Sequence, residues 1–274
     1  MFGLKPRWVV LLAGTIVVVN GFFPMLWILL TSLKTETELL SQPITYLPDR
    51  PTLANYHKAF ADQPLHLFLF NSFMVSTLST LLCVTVSAFA AYALVRLKVP
   101  FRNLILSSIL VVAMFPLISL IVPLFQTMRL LGILNTWWAL VLPYTVLSMP
   151  VCTLVLASFF QDIPHDLESA AMIDGCSRFG ALWRIVVPLS APGVFTAAIL
   201  AFVNAWDEFL LALTFANRVE VRTLPVGITL YQSEFAFPWP LISAALIVAL
   251  IPITVLIAVF QERVVSGLTA GGLK

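Results

Sequence analysis

The residues whose types could do chemistry are few, and most fail on spacing. Gly175 and Gly180 bracket a G-x-x-x-x-G, but Ala181 and Leu182 follow where a phosphate-cradling loop needs Lys and then Ser or Thr. That loop cannot hold nucleotide, so any ATP must be bound by another chain. His57, His66 and His165 are scattered, with no H-x-x-x-H pair. Cys83, Cys152 and Cys176 have no C-x-x-C partner, which gives neither a metal site nor a disulfide framework. Two polar groupings remain. One is Asn204, Asp207 and Glu208, three and four residues apart inside an apolar run. The other is the stretch DIPHDLESAAMIDGCSRFGALWRIVVPLSAPG, residues 162–193, where acids, arginines, glycines and helix signals collect.

The elements that must position these groups are membrane-spanning. Of 274 residues 60 % are hydrophobic and 10 % charged, against about a quarter charged in an ordinary soluble domain. So little charge cannot coat a soluble surface. Fifteen Lys and Arg against 13 Asp and Glu leave +2, too small an excess to suggest nucleic acid. A helix needs ~20 apolar residues to cross the hydrocarbon. Six runs qualify: 8–33, 68–95, 104–125, 137–160, 191–215 and 241–260. The first is too long for a signal-peptide core and lacks a clear cleavage site, so it reads as a retained span. Period-two alternation is absent, which disfavours a membrane β-barrel. The fold expected is all-α: a polytopic bundle of six transmembrane helices, residues 1–274 forming one domain.

Orientation comes from the basic residues. Lys5, Arg7, Arg96, Lys98, Arg102, Arg178, Arg184, Arg263 and Lys274 fall on one side. Lys34, Arg50, Lys58, Arg129, Arg218 and Arg222 are spread over longer loops on the other. Both termini and the 162–193 stretch are therefore expected in the cytoplasm. Trp8, Trp137, Trp138 and Trp239 sit at span ends, as interfacial aromatics do. Pro24, Pro116, Pro123, Pro143, Pro150 and Pro252 predict kinked helices.

The cytoplasmic stretch parses into two short helices. Asp162 can cap the first, with Pro164 in its opening turn. Ile163, Leu167, Ala170 and Ala171 share one narrow face. Asp174-Gly175 ends it, since glycine accepts the left-handed backbone a helix terminus often needs. Ser177 can cap a second helix, with Phe179, Leu182, Trp183 and Val186 on one face and Pro188 as its stop. The first helix then offers a small, alanine-lined knob bearing Glu168 and Asp174. Two readings stand: a docking knob for another protein, or an amphipathic linker lying on lipid.

The run Leu167-Glu168-Ser169-Ala170-Ala171-Met172-Ile173-Asp174-Gly175, followed by Ile185-x-x-Pro188, resembles the EAA loop of ABC importer permeases. More narrowly, the chain is similar to the six-span carbohydrate-uptake permeases of maltose- and trehalose-type systems. Asn55-Tyr56 after span one, Asn71-Ser72-Phe73 opening span two and Trp206-Asp207-Glu208-Phe209 in span five carry the likeness across nearly the whole length. Ser169 stands where the family has a second Glu, and Cys176 where Ala is common. The resemblance implies a coupling helix–turn–helix docked on an ATPase, with Glu168, Ser169, Ala170, Ala171, Asp174 and Gly175 as its coupling residues. It also implies a bacterial or archaeal inner-membrane location and a set of partners. These are a second, non-identical permease, two ATP-binding subunits holding ATP and Mg, and an extracellular sugar-binding protein. No cofactor is expected on this chain.

In span five, Asp207 lies ~20 Å above a cytoplasmic end near Gly193. An unpaired carboxylate there costs about 2.5 kcal/mol or more, so it must face protein or water. Asn204, Asp207 and Glu208 read either as a polar lining of the sugar path or as an inter-helix network. The outer loop from Ala216 to Trp239 holds Arg218, Glu220, Arg222, Tyr231, Gln232 and Glu234. It resembles the loop that meets the sugar-binding protein, with Arg218, Arg222, Tyr231 and Gln232 as contacts. The function expected is the permease half of an ATP-driven importer for a di- or oligosaccharide such as trehalose or maltose. An ion-coupled secondary carrier is the alternative, although no internal repeat supports it. The chain is not expected to be an enzyme.

Overall fold

The computed structural model describes residues 7–97, 99–233 and 237–272, with side chains left aside at 7, 10 and 261–272. Lys5, Lys98, Glu234 and Lys274, and the side chains of Arg7 and Arg263, thus lie outside the described residues. All regular structure among those described is helical. The chain divides into two compact units, residues 1–66 with 227–252, and residues 67–226 with 253–274.

In the first unit, α1 (Arg7–Ser32) leaves its most apolar stretch wholly exposed, as a lipid-facing helix does. A short α2 (Glu36–Leu39) and α3 (Ala54–Asp62) close its far end. Asn55 donates from Nδ2 to the carbonyls of Ser32 (2.7 Å) and Lys34 (2.8 Å), satisfying acceptors that a helix terminus leaves open. Tyr56 and Ser32 share a hydroxyl–hydroxyl bond of 2.7 Å. The Asn55-Tyr56 pair is therefore a lock on the end of α1.

The second unit is built on α4 (Leu65–Arg96), α7 (Trp138–Gln161) and α11 (Ala191–Asp207). Gly193, Ala197, Ala201 and Ala205 are all buried on α11, one turn apart, so its backbone lies close against α7. A Cβ on Gly193 would fall 2.3 Å from Cγ of Phe159. Two apolar clusters result. One holds Cys83, Tyr92, Leu156, Phe160, Leu182 and Val186; the other holds Val75, Tyr144, Leu211 and Phe215.

Among the described residues four helices are each long and apolar enough to span, and up to six spans are reached if each bent pair counts as one. The run 104–125, expected as one helix, is two: α5 (Arg102–Ala113) and α6 (Leu117–Leu130), bent by 92°. Pro116 stands at the break with ψ 122°, and it cannot supply an amide to carry the helix through. The run 191–215 also divides, with α11 ending at Asp207 and α12 (Leu210–Phe215) following.

Candidate functional site

The 162–193 stretch folds as two helical segments, with different ends from those expected. The first, α8, covers His165–Ile173 with Pro164 at its N-cap and no side-chain cap. Asp162 instead closes α7. The turn is as read: Gly175 has φ +88°, and the Cys176 amide reaches back to the Ala171 carbonyl at 2.9 Å. Ser177 Oγ accepts from the Gly180 amide at 3.1 Å, capping α9 (Arg178–Ala181). Pro188 does not stop the second helix. A π-turn over Leu182–Val186 absorbs its missing amide, α10 (Val187–Leu189) carries on, and the chain bends by 85° at Ser190 into α11.

The alanine-lined face of α8 is outward, as expected of a knob, but one residue departs from it. Its one buried residue is Glu168, 5 % exposed, whereas Leu167, Ala170 and Ile173 face outward. Ile173 is 86 % exposed. Glu168, expected on the outward knob, points into the bundle. Its carboxylate accepts from the Tyr92 hydroxyl and lies 3.1 Å from Nε of Arg96, whose side chain is 2 % exposed. Arg96 also donates from Nη2 to the Ile163 carbonyl at 2.7 Å. The physical reason is charge: α4 ends in a buried guanidinium, and burying it demands a carboxylate beside it. Phe89 of α4 stacks on Phe179 at 5.8 Å and meets Trp183 at 5.9 Å, yet Phe179 is 62 % and Trp183 37 % exposed, so of the face expected to pack inward only Leu182 and Val186 are buried. Ser169, Asp174 and Gly175 are exposed and Ala171 half-buried, leaving a small-residue outer face.

The span-five acids separate at the helix break. Asn204 and Asp207 belong to α11 and are exposed, Asn204 donating to Ser148 Oγ at 3.0 Å. Glu208 lies in the gap. It accepts from the amides of Leu211 (2.9 Å) and Ala212 (3.1 Å) and from the Tyr144 hydroxyl (2.6 Å). The carboxylate caps α12, which satisfies backbone donors that a mid-membrane break would otherwise orphan. The three residues do not form one helical row. Asn204 and Asp207 remain on an open face, and Glu208 holds the break.

The outer loop is tied down at several points. Asn71, fully buried, donates to the carbonyls of Glu220 (2.9 Å) and Arg222 (3.0 Å) and accepts from Trp137 Nε1 (3.0 Å). Ser72 Oγ accepts from the Leu224 amide at 2.8 Å. Asn135 Oδ1 accepts from the amides of Asn217 (2.8 Å) and Arg218 (3.1 Å). Arg218 is exposed, and Arg222 is half-buried with Nη2 on the Asn217 carbonyl at 2.7 Å. Tyr231 and Gln232 belong to the other compact unit. Gln232 is exposed there, but Tyr231, expected as a contact, is buried with its hydroxyl donating to the Ala59 carbonyl. Burial, and then the Asp62 carboxylate, push that phenol up to about 12.

Sequence reading missed Tyr92 and Arg96 as partners of Glu168, and the Gly193–Ala205 row. The row has a signal, small residues every fourth position, whereas a pairing across 76 residues has none.

A family described as the binding-protein-dependent transport system inner membrane component matches residues 83–269. Over 263 residues the chain is 68 % identical to a sulfoquinovosyl glycerol transport system permease protein of Agrobacterium fabrum, covering 96 % of this chain and 92 % of that one. It is 38 % identical over 271 residues to a trehalose/maltose transport system permease protein of Thermococcus litoralis (98 % and 97 % covered). A trehalose transport system permease protein of Mycobacterium tuberculosis is 39 % identical over 269 residues, with 97 % of each covered. A solved bacterial ABC transporter involved in importing the acidic polysaccharide alginate has a chain of the same fold, with TM-score 0.81 and 18 % identity. That match covers 93 % of this chain and 95 % of the other.

Proposed function

We propose, from the premise that this chain belongs to the family of binding-protein-dependent transport system inner membrane components, that it moves a sulfonated sugar glycoside of the sulfoquinovosyl glycerol kind. The chain is a non-catalytic permease subunit of an ATP-driven sugar importer in the inner membrane. The relatives agree with that reading and not with an ion-coupled carrier. For the cargo, 68 % identity over 96 % of the chain outweighs the 38 % and 39 % likeness to trehalose and maltose permeases.

The mechanical part of the reading rests on one observation: α8 is anchored to α4 by the buried Glu168–Arg96–Tyr92 contact and turns a small, partly apolar face outward. One of two ATP-binding subunits, which together hold ATP and Mg, docks on Ala170, Ala171, Asp174 and Gly175, with exposed Leu167 and Ile173 beside them. Ser169 lies on the same open side. Glu168 works from behind, passing displacement of the knob into α4. Nucleotide and loaded binding protein favour the outward-facing arrangement by their differential affinity for it. A second, non-identical permease completes the path against the open face bearing Asn204 and Asp207, with Glu208 fixing the break above. Arg218 and Arg222, on the tethered loop, and Gln232 meet the extracellular sugar-binding protein. Both termini lie in the cytoplasm, because nine of the fifteen basic residues fall on that side.

The test is uptake of labelled sulfoquinovosyl glycerol, trehalose and maltose in cells with and without this chain. Loss of the first alone is expected. Loss of trehalose or maltose uptake with the first intact would overturn the cargo assignment and leave the permease role standing.

A further inference from the structure

Toward the cytoplasmic end of the second unit, α5 leaves a gap against its neighbours. Between it, α4 and α7 lies a cleft of ≈ 430 Å³, lined among others by Ala90 of α4, Leu104, Ile105, Ile109 and Val112 of α5, and Val146 of α7. Its walls are hydrocarbon. Of the hydroxyls that border it, Ser108 Oγ is spent on the Leu104 carbonyl at 2.9 Å, and Thr153 is buried. At ~1.5 Å per residue, the run from Leu104 to Val112 covers ~12 Å, most of the ~15 Å of hydrocarbon in one leaflet.

The cytoplasmic edge of the cleft carries a charge. Arg102 opens α5 one turn before Ile105, on the same side of the helix. It is half-buried and has no carboxylate partner among the described residues. Its Nε is sealed in, but Nη1 and Nη2 are not, so the end of the guanidinium is free to meet an anion.

These features select the occupant. A transmembrane helix, about 10–12 Å across, is too wide for a cleft of this volume. A sugar needs convergent polar partners that the walls do not offer. A single acyl chain fits, and a phosphate at its head would reach Arg102. Basic pockets between spans on the cytoplasmic side take anionic headgroups in this way.

We propose that this cleft holds one acyl chain of an anionic phospholipid of the inner leaflet, with its phosphate on Arg102, and that the lipid fastens the start of α5 to α7. The site goes beyond the importer reading and does not depend on the cargo.

The experiment uses the assembled transporter in nanodiscs of phosphatidylcholine with a small fraction of phosphatidylglycerol. A trace of either lipid carries a photoactivatable diazirine midway along one acyl chain. Labelling of 104–112 and 146–153 is read relative to that of α1, whose exposed stretch samples bulk lipid. The phosphatidylglycerol probe should label the cleft preferentially, and unlabelled phosphatidylglycerol should compete it away. Arg102→Gln should cut that preference about fivefold, and Arg102→Lys should keep most of it. Val146 stands on the exposed rim, so Val146→Trp should fold normally, fill the cleft and remove the selective labelling while that of α1 is unchanged. Saturable, headgroup-selective labelling that both Arg102→Gln and Val146→Trp lower assigns the lipid. Labelling equal for the two headgroups, or unchanged in either of those variants, is bulk lipid and overturns the site. No labelling of 104–112 and 146–153 also overturns it, because another chain then covers the cleft. Uptake of the cargo reports separately on the importer reading.

Discussion

Replacing Glu168 by Ala separates a buried strut from a surface contact. The Glu168 side chain is 7 % exposed, that of Arg96 2 %, and Tyr92 as a residue 7 %. Removing one member of a buried ion pair leaves the other charge uncompensated, at a cost of about 3–5 kcal/mol. The Tyr92 hydroxyl loses its acceptor as well, which is about 1 kcal/mol or more. Glu168→Ala should therefore lower the stability of the purified permease without any ATPase present. Pairing it with Arg96→Met removes the stranded charge and should recover most of the loss. Ala170→Trp is the contrast. Ala170 faces outward, so the change should move stability by about 0.5 kcal/mol at most, while the added bulk prevents co-purification of the ATP-binding subunit. The assays are unfolding of the solubilised chain alone and recovery of the ATPase on the tagged permease. A Glu168→Ala chain that unfolds as the wild type does, yet no longer retains the ATPase, would refute the argument and return Glu168 to the docking face.

Gly193→Ala should cost about 1–3 kcal/mol through overpacking, because the new Cβ would lie 2.3 to 2.8 Å from Cγ, Cδ2 and Cβ of Phe159. Shrinking Phe159 to Ala in the same chain should relieve part of that, as measured by unfolding. At Gly175, where nothing approaches an added Cβ, the strain is in the backbone alone. Gly175→Ala should cost about 1–2 kcal/mol at φ +88° and Gly175→Asn less. The Tyr231 phenol is raised from 10.0 to about 12 in the fold, so its stabilising share is complete below pH 10. That share drains away as pH climbs toward 12, because the unfolded chain then releases the proton first. Tyr231→Phe should flatten this alkaline limb of the unfolding profile.

What was legible in the sequence followed from local physics. Apolar run lengths gave the span positions, and Gly175 and Ser177 marked the turn and the cap because both act within a few residues. Breaks were harder to read. Pro116 was visible but its 92° consequence was not, and nothing near Glu208 announces that a carboxylate will cap α12 inside an apolar run. Glu168 was placed on the outward knob for a related reason. Periodicity groups Leu167, Ala170 and Ala171 on one face but carries nothing of the Arg96 guanidinium that draws Glu168 inward. Which acid finds Arg96 depends on how α4 and α8 meet, and no local pattern encodes that.

The placement of stiffness within the second unit follows from these contacts. A push on α8 reaches the bundle by two routes, and both end in contacts that resist compression. One runs through Glu168 to Arg96 and Tyr92 on α4, an ion pair buried too deeply for water to loosen. The other runs through the π-turn Leu182–Val186 and the bend at Ser190 into α11, where Gly193 meets the Phe159 ring with no room between. Close-packed interiors transmit displacement because they have few voids in which to absorb it. The compliant points lie at the 85° bend and at the Asp207–Phe209 break, so α11 can move as one rod between them. Beyond Gly193, its small residues at 197, 201 and 205 let it shift against α7 without unlocking large side chains. If that is how α11 moves, Ala201→Leu should impair transport more than it impairs ATPase binding. Loss of both together, with unfolding unchanged, would show that the row serves docking rather than movement.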